Sequence, residues 1–181
     1  MDRSLGKSTD RTLDELIEVQ PRSGRRLTAW RLQAARLALL RDIPSQLSEA
    51  EDLLEALRAA GRTGLAIHVG ARAAHLATAI HMHDAAARHA RRTLEIFGKF
   101  HPDDIYPGEV LYLCWNALEQ AGAPEAGAAF ERAIGWVRAT AADQVPAEFR
   151  DSFLYRNPVN RDLLARAAQL KQLPSVDASP V

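Results

Sequence analysis

All but one of the six histidines of this 181-residue chain fall between His68 and His89. Neutral imidazole is a common ligand for zinc, copper and nickel and changes charge near neutral pH. His81-Met82-His83, flanked by His75 and His89, is therefore the segment whose residue types best suit metal or pH-linked chemistry. No Cys, Glu or Asp stands beside it at a recognised ligand spacing except Asp84, which also reads as a helix cap, and a zinc centre normally needs three or four ligands. The competing reading is of polar histidines on exposed or groove-facing surfaces. Asp103-Asp104 sits in a loop between His101 and Pro107 and reads as a pair of solvated turn residues. The single Cys114 can form neither an internal disulfide nor a zinc site, and it reads as a small buried apolar residue. G-x-S-x-G, G-x-x-x-x-G-K-[ST] and H-E-x-x-H are all missing, so the sequence offers no catalytic residue, cofactor or metal ion and predicts a chain that is not an enzyme.

Helical start and stop signals determine what positions these residues. Thr12-Leu13-Asp14-Glu15 has the form of a capping box and predicts a short helix over 12–20 that ends at Pro21. Arg22 to Arg26 reads as a hinge, and the apolar pattern from Leu27 through Trp30, Ala34 and Leu37 predicts a helix over 26–42 that stops at Pro44. A second capping box at Ser48-Glu49-Ala50-Glu51 opens a helix over 48–60, closed by Gly61 in a left-handed C′ position. Two more helices follow, over 64–80 and from a capping Asp84 to Gly98. Pro107 and Pro124 open the next pair, Pro124 at N1, and Pro146 and Asn157-Pro158 delimit helices over 146–155 and 160–172. No segment alternates with the period of two that marks a strand, which predicts an all-α fold.

Composition narrows the function classes. Lys+Arg 23 balance Asp+Glu 23, so the neutral chain lacks the basic footprint of a nucleic-acid binder despite local clusters at Arg22, Arg25, Arg26, Arg31 and at Arg88, Arg91, Arg92. No apolar run is long enough to cross a bilayer and MDRSLGKSTD lacks the apolar core of a signal peptide; with the lone cysteine this predicts a cytoplasmic protein away from the membrane.

The helical pairs share a skeleton. Val110, Leu113, Cys114 and Ala117 on one helix precede Ala126, Phe130 and Ala133 on the next, and the equivalent slots, mostly small or apolar, hold Gly70, Ala73, Ala74, Ala77, Ala86, Ala90 and Thr93, then Ala34, Leu37, Ala38, Arg41, Ala50, Leu54 and Leu57. Where two helices cross closely only a small side chain leaves room for the backbones. Cys114, Ala126, Phe130 and Ala133 fall on the small-residue slot and the Ala/Phe/Ala triplet of the tetratricopeptide repeat, which the spacing over about residues 31–140 resembles. The repeat is longer than that family's, and the family's Trp, Tyr and terminal Pro are absent from the expected slots. The stretch VPAEFRDSFLYRNPVNRDLLARA is also similar to the end of the helical-repeat regions of large bacterial ATPase or cyclase signalling proteins.

These resemblances imply an antiparallel helix-hairpin, tetratricopeptide-like right-handed solenoid: residues 1–25 as an N-terminal helix and hinge, 26–145 as three degenerate hairpins, 146–173 as a C-terminal helical cap and 174–181 as a tail. In the cap, Phe149, Phe153, Leu154, Leu163 and Leu164 are expected to face inward and Arg150, Asp151, Arg161 and Asp162 to face water. The implied function is a signalling scaffold that binds a protein or peptide partner, or a neighbouring domain, with association of identical copies left open. Counting from the small-residue slots, the resemblance puts Leu32, Ala35, Leu39, His68, Ala71, His75, Thr78, Leu111, Trp115, Leu118 and Glu119 on a concave groove, with Trp115 as an apolar anchor. That groove is either open or filled by the chain's own N-terminal helix or C-terminal cap. The alternative function is a small-ligand or metal-responsive regulatory domain that uses the histidine-rich hairpin 68–89.

Overall fold

The computed structural model describes residues 26–37, 43–100, 102 and 105–172, and among them there is no strand. The helices are α1 (Arg26–Arg36), α2 (Ile43–Ala59), α3 (Thr63–Ala79), α4 (His83–Phe97), α5 (Pro107–Gln120), α6 (Ala126–Asp143) and α7 (Pro158–Gln172). A 3-10 turn at Ala147–Phe149 and a π turn at Ser152–Arg156 connect the last two. The expected helix over 12–20, with Leu13, Leu16 and Ile17, lies outside the described residues, as do Leu39, Asp103, Asp104 and the tail.

Alanine and leucine lose little side-chain entropy in a helix, so these segments were legible from propensity and period. Several boundaries differ from the sequence expectation. α2 opens at Ile43 rather than at Ser48, because Pro44 in a first turn removes an N–H that has no intrahelical acceptor anyway. Asp84 lies inside the first turn of α4 and the N-cap is Met82, with no side-chain cap bond. Pro124 precedes α6 rather than occupying its N1 position.

Three helices end alike. Gly61, His81 and Gly122 have φ of 65°, 60° and 62°. The N–H of the following residue bonds back across each turn: Arg62 to the Leu57 carbonyl at 2.9 Å, Met82 to Ala77 at 2.9 Å and Ala123 to Leu118 at 2.9 Å. This is the Schellman closure, which satisfies carbonyls that the helix end would leave unpaired. A histidine there carries the left-handed cost of its Cβ, roughly 1–2 kcal/mol, which glycine avoids. After subtracting the extra freedom glycine gives the unfolded chain, His81→Gly is expected to stabilise the protein by about 0.5–1 kcal/mol, read as a higher denaturant midpoint. A lower midpoint would show that the His81 side chain itself supports the turn.

Consecutive helices from α2 to α7 pack on one another, and α1 on α3, α3 on α5 and α5 on α7 touch as well. The odd-numbered helices thereby form one continuous layer, with α2, α4 and α6 against it. Ile67, Leu76, Leu111, Leu118, Ile134, Val137 and Leu163 fill the core between the layers. The small residues Ala73, Ala74, Ala77, Ala86, Ala90, Cys114, Ala117 and Ala133 are fully buried where helices cross. At Gly70 the approach is close enough that an added Cβ would lie 2.3 Å from Thr93 Oγ1.

The C-terminal segment departs from expectation in one inward residue. Phe149 is 60% exposed, because the chain there makes a tight 3-10 turn instead of a helix whose periodic face could turn inward. Phe153, Leu154 and Leu164 are half-buried, Leu163 is buried, and Arg150, Asp151, Arg161 and Asp162 face water. α7 is held to the start of α5 by polar groups: the Tyr106 hydroxyl donates to Asn160 Oδ1 at 2.8 Å, and Asn160 Nδ2 donates to the Phe153 carbonyl at 2.8 Å. Asn157 Oδ1 accepts from the Val159 N–H at 3.0 Å and so caps α7. Trp136 of α6 lies between Tyr106 and Phe153, with ring centroids 5.3 and 6.2 Å away.

Candidate functional site: a polar stripe across the odd-numbered helices

α3, α5 and α7 each present a polar stripe at helical spacing. On α3 it comprises His68, Arg72 and His75, on α5 Glu109, Tyr112, Asn116 and Glu119, and on α7 Asp162 and Arg166. Residues three and four apart share a helix face, and the contacts of α3 with α5 and of α5 with α7 set these rows side by side. Cross-helix pairs stitch them together. Arg72 Nη2 donates to Glu109 Oε1 across α3 and α5, and Arg166 Nη2 donates to Glu119 Oε1 at 2.8 Å across α7 and α5. The Tyr112 hydroxyl lies by Asp162, and burial together with that carboxylate raises its pKa above the ordinary phenol value.

Two polar atoms in this stripe, Arg72 Nε and His75 Nδ1, are buried without a hydrogen-bond partner. Burial lowers the pKa of His75, the neighbouring Arg72 lowers it further, and Glu109 opposes both. The folded protein thus holds His75 neutral at a pH where the unfolded chain would protonate it. Its contribution to stability is complete above the ordinary histidine pKa and is lost as the pH falls through the lowered folded value. The denaturation midpoint is expected to drop between about pH 7 and pH 5, and His75→Gln should flatten that part of the profile. An unchanged profile in the variant would assign the pH dependence to other groups.

The residues expected on a concave groove have different surroundings. His68, His75 and Glu119 lie on the stripe, and Leu32 is half-buried on α1. Thr78 is half-buried with its hydroxyl committed to the Ala74 carbonyl at 2.8 Å, whereas Ala71 is buried and Ala35 exposed. Leu111, Trp115 and Leu118 do not line a groove: they are 2%, 8% and 0% exposed. The reason is that α5 touches α3, α4, α6 and α7, so eight of its fourteen residues are buried and, between its ends, the row at Glu109, Tyr112, Asn116 and Glu119 stays open. Trp115 packs on Phe130 of α6 with ring centroids 5.1 Å apart, and Leu111 faces Phe97, Ile105 and Trp136. The sequence reading missed Arg72, Glu109, Tyr112, Asn116, Asp162 and Arg166, although the polar spacing within α3 and α5 carried their signal.

The histidines are dispersed. His89 Nε2 pairs with Glu51 Oε1 at 3.0 Å between α4 and α2, His68 and His75 lie on α3, and His81 and His83 occupy the α3–α4 turn. Among the described residues no three His, Cys, Asp or Glu side chains converge as a metal site. Cys114 is fully buried, which pushes its thiol up to about 12 and removes the thiolate that reactivity requires. Of the basic clusters, Arg91 donates to Glu125 and Arg92 to Glu95. Among the described residues no helix is long and apolar enough to cross a membrane. Compared with family models, curated proteins and solved structures, the chain matches none.

Proposed function

We propose that this chain is a non-enzymatic, tetratricopeptide-like interaction module, a right-handed stack of helical hairpins closed by a C-terminal cap, that serves bacterial signalling in the cytoplasm. Its partner is a peptide or a neighbouring domain of mixed charge. The observation that carries the reading is the polar stripe carried by α3, α5 and α7 and joined by the Arg72–Glu109 and Arg166–Glu119 pairs, on the layer whose helices contact one another directly. A face of opposite charges already placed in cross-helix pairs selects a partner by electrostatic pattern more than by apolar area. Rim charges of this kind act on the association rate and weaken with salt.

Asn116 stands at the centre of the stripe, while Glu131 is exposed on α6 in the other layer. Recovery of a partner from cells of the source species is compared for the wild type, Asn116→Arg and Glu131→Arg. Loss of one defined protein, by tenfold or more, in Asn116→Arg alone supports the reading. Equal recovery with both variants would place binding elsewhere and overturn it.

A further inference from the structure

We propose that the α3–α4 turn, His81-Met82-His83, binds a monovalent copper ion. His81 occupies the left-handed position that glycine fills at Gly61 and Gly122. Its side chain is exposed, so core packing does not compensate the backbone cost, and the aromatic contact it makes is with His83. The two imidazole centroids lie 5.9 Å apart with ring planes at 62°. An ion bound through ring nitrogen at about 2.0 Å sits about 3 Å from the ring centroid, so two ligating rings have centroids at most about 6 Å apart. The separation of 5.9 Å lies within that reach.

The remaining donors agree. His81, Met82, His83, Asp84 and Arg88 line one recess of about 360 Å³. The thioether of Met82 is a soft ligand that favours monovalent copper over harder ions. Met82 is 49% exposed and lines the same recess as the two histidines. Asp84 and Arg88, which also line the recess, carry opposite charges, so there is no excess of carboxylates to draw a dication. Three oxygen, nitrogen or thiolate ligands for a divalent ion are not assembled here among the described residues.

The full chain is titrated anaerobically with monovalent copper against a chromophoric copper(I) chelator, and in parallel with zinc. The wild type is expected to take one equivalent of copper. His81→Gly should weaken copper binding at least tenfold while the metal-free melting temperature stays level or rises, since the turn tolerates glycine; Met82→Leu should weaken it by a smaller factor. Cys114→Ala, which removes the other soft ligand, should leave it unchanged. Equal copper affinity in His81→Gly, loss of binding in Cys114→Ala, or zinc held as tightly through the same residues would each overturn the assignment.

Discussion

Trp115→Ala is expected to destabilise the protein by about 3–5 kcal/mol, the range for removing a large aromatic side chain from a packed core. Trp115 is 8% exposed and its indole packs between Phe130 of α6 and Tyr112 of its own helix, with centroids 5.1 and 5.8 Å away. Truncation removes the burial of the ring and leaves a space that α5, held by four neighbouring helices, cannot close. The check is equilibrium denaturation of both proteins. A loss under 1 kcal/mol would mean that the ring lies at the surface after all, as the sequence had suggested. Because the helix that carries Trp115 also carries Asn116, a partner-binding defect in Trp115→Ala would report unfolding rather than a lost contact.

The second large effect is expected at Asn160. This side chain is 0% exposed and makes two bonds of 2.8 Å, accepting from the Tyr106 hydroxyl and donating to the Phe153 carbonyl. Asn160→Ala leaves both partners short of a bond in the interior, and each such group costs about 1–3 kcal/mol, so a loss of about 3 kcal/mol is expected. Tyr106→Phe removes one of the two bonds and should cost about 1 kcal/mol. Combined, the two substitutions should cost less than their sum, with a coupling of about 1 kcal/mol, because the Tyr106 hydroxyl is no longer there to be stranded. Strict additivity in the denaturation midpoints would show that the Tyr106–Asn160 bond carries no weight in holding α7 to α5.

The sequence by itself determined the all-helical class, most helix positions, the left-handed closure at Gly61 and the small residues at helix crossings. These follow from propensity, capping and the volume of single side chains, which act within a turn or two of chain. It also showed a terminal segment with Leu163 inside and Arg161 and Asp162 outside. How narrow a strip of α5 remains open was decided by tertiary structure. A helix packed on one side exposes half its circumference, but α5 packs on α3, α4, α6 and α7, and that number of neighbours is not written in its own period. The apolar residues assigned to a groove were therefore drawn into the core, and the surface passed to Glu109, Tyr112, Asn116 and Glu119. Asn160 escaped the sequence reading for a related reason: a buried asparagine looks like any surface asparagine until Tyr106, distant along the chain, is folded against it. Local rules fix what a segment can become, while burial depends on everything else that arrives at the same place.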